Sequence, residues 1–259
     1  MNRGGKSMKG FSVVLSAETA SFRDPGGQLY HGTLPLPPVS TIIGIAGAAL
    51  GKSFQQSWKL FQGNDIKVGV KDITRSWRRM SPGKGLDLWK YRKIVTNEVR
   101  SDVLKREFLF RPVYRLYYSC ENIETLKGLN QAFLSPAWAL TLGTSDDIAR
   151  IEEVSPIETI EQIEGGVKEL NYCLMPGDIS DNYSFDWEKI IRNSPIRSSL
   201  ELPLVKQLPI EFVFNSDGER KGCRYKPFTF LSGNQQLKSP CPAYSFGMEP
   251  VPLISIAKE

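Results

Sequence analysis

A single histidine, His31, serves the whole 259-residue chain. Histidine is the side chain that most often binds metals and moves protons near neutral pH, so this scarcity restricts both kinds of chemistry. Four cysteines lie far apart and form no CxxC pair, which excludes the usual zinc sites; they are Cys120, Cys173, Cys223 and Cys241. We expect these thiols to be reduced and mostly buried, and we expect neither a metal ion nor a cofactor.

The chain also lacks a long apolar run and an N-terminal targeting signal. Its most apolar stretch, residues 39–50, is well short of the roughly 20 residues that cross a bilayer. No charged region followed by an apolar one precedes the first predicted strand, so we expect a cytoplasmic protein that does not contact a membrane. A composition of 41% hydrophobic and 24% charged residues fits a folded chain of one large or two small domains.

Residues 19–51 join a loop rich in glycine and proline to an apolar helix of small residues. Pro37–Pro38 hold the approach extended, and Ser40 is predicted to cap the first free N–H groups of the helix. Gly47 belongs to a flat side that predicts close packing against a sheet. Gly51 suits the left-handed position that ends a helix.

The end of this helix raises an alternative. Residues 46–53, AGAALGKS, nearly form a phosphate-binding P-loop in which Lys52 would neutralise the phosphates. However, Ala46 replaces the first glycine of the motif, and the preceding residues read as a capped helix rather than a buried strand. We therefore favour a helix C-terminus with a lysine that complements the dipole, and we keep a P-loop nucleotide-binding protein as an alternative.

Two blocks of sequence carry a family resemblance. The first has Ser21–Arg23 after a predicted strand, Leu34–Pro38 as a rigid approach, and Ser40–Gly44 at the start of the helix. The second, Pro136–Asp147, reads PAWALTLGTSDD. Both resemble the CRISPR-associated RAMP family that caps the 5′ end of the guide RNA in type I Cascade complexes, the Cas-five family, and the style is closest to its type I-B branch.

The resemblance implies a non-catalytic subunit that grips the 5′ handle of the guide RNA (crRNA) and caps one end of a surveillance complex for antiviral DNA targeting. Its partners would be the crRNA, the repeated backbone subunit and the large subunit that inspects target DNA. From the matched blocks, RNA contacts are expected from Phe22, Arg23, His31, Ser40, Gly143 and Ser145. The residues alone favour another role for Ser145, as the cap of a helix that begins at Asp146.

Hydrophobic periodicity predicts an α+β protein. Residues 1–150 show the order β-α-β-β-α-β, the ferredoxin-like arrangement of RNA-recognition domains, which agrees with the RAMP resemblance. The predicted strands are Gly10–Ala17, Ile66–Ile73, Glu107–Ser119 with a kink at Pro112, and Ala137–Leu142; a second helix covers Asn122–Phe133. Residues 151–259 are predicted to form a β-rich extension with a hairpin at Val205–Phe214 and Gly222–Phe230.

The charge of the chain is concentrated between the second and third predicted strands. Residues 75–115 hold twelve lysines and arginines against four acids, whereas the whole chain has a net charge of only +5. Interleaved aromatics would stack on bases while the cations contact phosphates; the alternative is a solvated basic hairpin whose aromatics serve the core. Candidate RNA-binding residues are Arg75, Trp77, Arg78, Arg79, Lys84, Trp89, Lys90, Arg92, Lys93, Arg100, Lys105 and Arg106.

The resemblance implies that residues at about 75–107 form an inserted thumb hairpin that presses on the guide RNA where the handle meets the spacer. The processing branch of the same family cuts RNA with a tyrosine, a lysine and a histidine. Here His31 follows Tyr30, and no Lys-His pair exists. Metal-independent cleavage needs a base and an acid near their working pKa, so we expect no enzyme activity and keep a pre-crRNA endoribonuclease as the alternative.

Overall fold

Strands outnumber helices in the part of the chain that this computed structural model describes, which comprises residues 7–27, 30–80, 83–95, 98–184 and 203–257. The protein is a mixed α+β structure. Its α-helices are α1 Val39–Ala49, α2 Phe54–Gly63, α3 Thr74–Arg78 and α4 Ile123–Leu134. Its strands are β1 Ser7–Ala17, β2 Thr19–Ala20, β3 Tyr30–His31, β4 Lys67–Asp72, β5 Gly83–Val95, β6 Glu98–Phe110, β7 Val113–Cys120, β8 Ala149–Val154, β9 Glu158–Gln162, β10 Val167–Asn171, β11 Leu174–Pro176, β12 Tyr183–Ser184, β13 Leu204–Phe214, β14 Arg220–Phe230, β15 Asn234–Cys241, β16 Tyr244–Phe246 and β17 Glu249–Val251.

The main sheet is built around β1. Its strand order is β17-β16-β9-β1-β7-β4, and β8 also pairs with β1. Alternate residues of β1 point into the core, where Phe11 stacks on Tyr118 of β7 with ring centroids 5.4 Å apart and meets Phe133 of α4 at 6.3 Å. The predicted strands at 10–17 and 66–73 and the helix at 122–133 are confirmed, and Asn122 caps α4 by accepting hydrogen bonds from the N–H groups of Glu124 and Thr125.

The region around α1 differs from the prediction in two respects. Ser40 does not cap the helix, because Pro38 already has the extended N-cap conformation and Ser40 is the second helical residue. The flat side of α1 packs on α2 rather than on a sheet: a Cβ on Gly47 would lie 2.2 Å from the Oγ of Ser57. Gly51 has the left-handed φ of +66° that its predicted position requires.

The helix α2 was not predicted. It begins at Ser53 with a capping box, in which Ser53 Oγ accepts from the N–H of Gln56 and Gln56 Oε1 accepts from the N–H of Ser53. Lys52 therefore lies in a short link between two helices. A P-loop follows a buried strand, so the helix at this position contradicts the nucleotide-binding alternative.

Two predicted strands differ from the structure: the first is correct in its kink at Pro112 and from Val113 onward, and the second is wrong. The strand predicted at 107–119 is divided at Arg111–Pro112, because Arg111 has a left-handed φ of 51° and Pro112 offers no N–H, so β6 and β7 belong to different sheets. Residues 137–142 form no strand. The N–H groups of Ala137 and Trp138 instead donate to the last carbonyls of α1, on Ala49 at 2.9 Å and Ala48 at 3.2 Å, and the next strand is β8.

The C-terminal half completes the main sheet and adds further small sheets. The predicted hairpin is confirmed as β13 and β14, and Phe212 of β13 packs against Trp58 of α2 with centroids 4.7 Å apart. The predicted boundary at residue 150 falls inside β8. Three of the four cysteines are buried and Cys223 is half-buried, and all four are free thiols. Among the described residues, none of the helices has the length and apolar character needed to span a membrane.

Candidate nucleic-acid interface

The basic segment forms a long two-stranded ribbon. β5 and β6 pair in one uninterrupted antiparallel register from Gly83 opposite Phe110 to Val95 opposite Glu98. At about 3.3 Å per residue, thirteen residues in each strand span roughly 40 Å. The lower part of the ribbon is anchored by β2 and β3, which both pair with β6. We call this ribbon, residues 83–110, the thumb.

One face of the thumb combines cations with exposed leucines. Lys84, Leu86, Leu88 and Lys90 alternate along β5 and therefore share a face. Leu86 and Leu88 are 61% and 71% exposed, and Lys90 is also exposed. Lys105 lies opposite Leu88 on the same face. This face presents positive charge and apolar surface together.

The other face of the thumb is joined to the body of the protein by Arg106. Its guanidinium donates to both carboxylate oxygens of Asp87, at 3.2 and 2.7 Å, and to Thr144 Oγ1 at 3.3 Å. The same group lies 5.6 Å from the centre of the Trp89 ring. Arg106 is only 9% exposed. The hydrogen bonds to Asp87 raise the pKa of the Arg106 guanidinium above its ordinary value. Arg106 was predicted to contact RNA, but its main bonds are to the protein.

His31 lies at the base of the thumb. It pairs with Arg106 in the parallel β3–β6 ladder, and its ring centroid is 6.2 Å from that of Trp89. Partial burial, with further contributions from the charges of Arg23 and Arg106, lowers the pKa of His31. The imidazole is therefore neutral at physiological pH, where it can donate or accept a hydrogen bond.

The second matched block closes around the first. The N–H of Ser21 donates to the carbonyl of Leu142 at 3.1 Å. Gly143 has a φ of +117°, and a Cβ at this position would lie 1.9 Å from the carbonyl oxygen of Ser21. Asp147 is buried and accepts from the hydroxyl of Thr144 at 2.8 Å. The two blocks thus form one surface beside the thumb.

Two residues of this surface differ from their predicted roles. Ser145 does not cap a helix, because residues 144–147 form a turn that leads directly into β8; its side chain is exposed. Phe22 is 2% exposed and meets Tyr114 edge to face at 5.7 Å, so it belongs to the core rather than to a binding surface. Its backbone N–H donates to Thr33 Oγ1 at 2.9 Å.

The start of the basic segment forms the short helix α3. Trp77 is 42% exposed, and Arg79, with a left-handed φ of 56°, ends the helix. Arg78 is half-buried and Arg79 is exposed. Arg75 is engaged elsewhere, since it donates to the hydroxyl of Tyr172 at 3.0 Å. The side chains of Arg92, Lys93 and Arg100 lie outside the described part of the structure.

Two acids within the basic segment organise the base of the thumb, although the sequence showed them only as minority charges. Asp87 binds Arg106, as described above. Glu107 accepts from the hydroxyl of Tyr30 at 2.8 Å and from the N–H of Thr33 at 2.9 Å. These hydrogen bonds outweigh partial burial and lower the pKa of Glu107. Asp87 and Glu107 each lie on a strand that is otherwise rich in cations, and this is the signal that could have identified them.

Comparison with protein families gives a match to the model described as CRISPR-associated protein (Cas_Cas5), over residues 12–196. Curated proteins give no match. Among solved structures, the chain is similar to one titled "Crystal structure of a CRISPR protein from Archaeoglobus fulgidus", with 13% identity, 96% of this chain and 100% of that chain covered, and a TM-score of 0.51.

Two larger assemblies also contain similar chains. One is titled "CRISPR RNA-guided surveillance complex" (14% identity, 88% of this chain and 91% of that chain covered, TM-score 0.47). The other is the "Type III-B Cmr-beta bound to cognate target RNA and AMPPnP" (12% identity, 88% and 86% covered, TM-score 0.47).

Proposed function

Because the chain belongs to the CRISPR-associated Cas-five family, we propose that it is the subunit that binds the crRNA 5′ handle and caps one end of a type I surveillance complex. The observation that carries this proposal is the thumb, a ribbon roughly 40 Å long. It has exposed lysines on one face and the exposed Trp89 on the other. Basic strands with accessible aromatic rings are suited to single-stranded RNA, because phosphates meet cations while bases stack.

We infer that the core is a ferredoxin-like RAMP domain. The strands β8, β1, β7 and β4 lie side by side in this order, and each neighbouring pair is antiparallel. The helices α1 and α2 connect β1 to β4, and α4 connects β7 to β8. A β-α-β-β-α-β chain with this strand order supports the inference. The thumb is then an insertion between the second and third strands of that core.

The geometry around His31 favours a non-catalytic role. The hydroxyl of Tyr30 donates a hydrogen bond to Glu107, and this bond raises the pKa of Tyr30. The phenol is therefore not activated as a base. The lowered pKa of His31 leaves little imidazolium to act as a general acid at neutral pH. A tyrosine that acts as a base and a histidine that acts as an acid in RNA cleavage would need the opposite pKa shifts.

The exposed leucines suggest how protein partners are engaged. Leu86 and Leu88 form an apolar strip on the cationic face of the thumb. Exposed apolar surface of this kind is typical of contacts with other proteins. We propose that the strip meets the repeated backbone subunit, while the large subunit and, through it, target DNA are reached elsewhere on the molecule.

The test is binding of labelled repeat-derived RNA to the purified protein as salt is varied. For single strands the log–log slope is about 0.7 per phosphate contact. We expect Arg78→Glu with Arg79→Glu, and separately Lys90→Glu with Lys105→Glu, to weaken binding and flatten the slope. The matched control, Lys127→Glu with Lys168→Glu, should bind like the wild type. Wild-type affinity and slope in both the α3 variant and the thumb variant would reject the proposal.

The same RNA tests for catalysis. In the presence of EDTA it should remain intact during prolonged incubation with the protein. Specific cleavage that disappears in His31→Ala would make the endoribonuclease the better description of this chain.

A further inference from the structure

A second basic surface lies on the hairpin of β13 and β14, far from the thumb in sequence. The outer part of β14, Arg220–Lys226, reads RKGCRYK and contains four cations and no acid. All four of these cations are exposed. Further along the strand, Phe228 and Phe230 are buried in the main core and pair with β11. The inner end of β14 therefore anchors the β13–β14 hairpin, and its outer end presents positive charge.

Neighbouring acids neutralise only part of this charge. Glu211 on β13 lies 3.6 Å from Arg224 and 3.9 Å from Lys226, so one carboxylate is shared by two cations at distances too long for a hydrogen bond. The turn adds Asp217 and Glu219, whose side chains bond to Ser216 and Asn215 at the tip. The flank of β14 thus keeps a surplus of positive charge.

Arg220 and Tyr225 are two further side chains of this flank whose surroundings suit RNA binding. The Arg220 guanidinium lies 5.1 Å from the ring centre of Phe54 and 5.8 Å from that of Phe212. A stacked guanidinium keeps its N–H edge available for phosphate and loses little entropy on binding. Tyr225 is 52% exposed, and the neighbouring Cys223 thiol raises the pKa of its hydroxyl. Its ring is therefore an accessible stacking surface.

The flank also continues the candidate nucleic-acid interface. Lys206 of β13 forms an ion pair of 2.6 Å with Asp24, in the loop that carries Arg23 and leads to His31. Lys226 lies opposite Leu208, two residues further along β13 than Lys206. Along β14, Arg224 and Lys226 share one face and Tyr225 lies on the other, and all three line the flank of the strand that starts beside the base of the thumb.

We propose that the outer part of β14 is a second RNA-binding site, which holds the phosphate backbone of a single strand that extends beyond the thumb, with Tyr225 stacking on a base. The site rests on the proposed function, since it binds a continuation of the same guide RNA. Single-stranded RNA is favoured over duplex DNA because an exposed tyrosine can stack only on an unpaired base. Cations spaced along the flank of an extended strand suit an extended phosphate chain.

The experiment compares two RNAs from the same repeat: a handle of about 8 nucleotides and a strand about 8 nucleotides longer. We expect Lys221→Gln with Arg224→Gln to weaken binding of the longer RNA only and to lower its salt slope by about 1.4. The matched control is Lys127→Gln with Lys168→Gln, which removes two charges elsewhere. Tyr225→Ala should cost roughly tenfold in affinity for the longer RNA, and Tyr225→Phe should restore it.

The outcomes separate this inference from the proposed function. If the α3 and thumb variants bind both RNAs normally while the β14 variant loses the longer RNA, the proposed function fails and the β14 site stands. If the β14 variant matches its control with both RNAs, the charges serve only to protect an edge strand and the inference is overturned. The same variant should also be titrated with duplex DNA, and a loss of binding confined to the duplex would overturn the inference. Circular dichroism of every variant should match the wild type, because the replaced side chains are exposed.

Discussion

Replacement of Gly143 by alanine tests the contact that joins the two matched blocks. An ideal Cβ on Gly143 would lie 1.9 Å from the carbonyl oxygen of Ser21 and 2.7 Å from its carbonyl carbon. Both atoms belong to the backbone, so no side-chain rotation can relieve the overlap. The φ of +117° is also a conformation that side-chain-bearing residues rarely adopt.

The two effects add. Overpacking typically costs about 1–3 kcal/mol, and a residue held in a sparsely populated backbone conformation costs about 1–3 kcal/mol more. The sum is about 2–6 kcal/mol. For a chain of this size each kcal/mol lowers the melting temperature by about 2–4 °C. We therefore expect Gly143→Ala to melt roughly 5–20 °C below the wild type in a calorimetric or circular-dichroism scan.

Gly128→Ala is the matched control for this substitution. Gly128 lies within α4, and a Cβ there would meet nothing within 4 Å. Alanine in a helix is favoured over glycine by about 0.5–1 kcal/mol, so this variant should melt slightly above the wild type. If Gly143→Ala melted within a degree of the wild type while Gly128→Ala behaved as expected, the close approach of residues 21 and 143 would be wrong.

Three further predictions concern single positions. His31 is the only histidine, so its proton-NMR titration can be followed without assignment. Its midpoint should lie below the ordinary value of 6.5 in the free protein and should rise when RNA phosphates bind nearby. An unchanged midpoint on binding would place the RNA elsewhere. Lys52→Ala should leave RNA binding unchanged, and neither form should bind ATP saturably; micromolar ATP affinity lost in the variant would restore the P-loop. Gly47→Leu should lower stability by about 1–3 kcal/mol in denaturant unfolding, because its side chain would displace Ser57 of α2, and wild-type stability would contradict the helix contact.

The elements that were predicted correctly are those whose signals are local. The alternation in β1 and the cap at Asn122 each depend on neighbours a few residues away, and both appear as expected. The capping box at Ser53 and Gln56 was equally local, but it was overlooked, because Ser53 was considered only as the last residue of the P-loop alternative. The helix α2 that it begins was therefore missed.

The errors arise where distant segments compete for the same groups. The run at 137–142 has the apolar character of a strand, but the N–H groups of Ala137 and Trp138 are used to complete α1, almost ninety residues earlier in the chain. In the candidate site, the excess of cations was visible in the sequence. The bond between Arg106 and Asp87 was not, because it depends on the register of β5 against β6.

The corner at Arg111 has a consequence for how the thumb can vary in length. Because this residue turns the chain out of one sheet and into another, the thumb adds no strand to the main sheet. Side chains in a strand repeat every two residues, so inserting two residues in each arm would lengthen the ribbon and keep both faces intact. A single inserted residue in one arm would turn every side chain beyond it to the opposite face. Relatives whose thumbs differ in length by insertions within an arm should therefore differ there by even numbers of residues per strand, with the core unchanged.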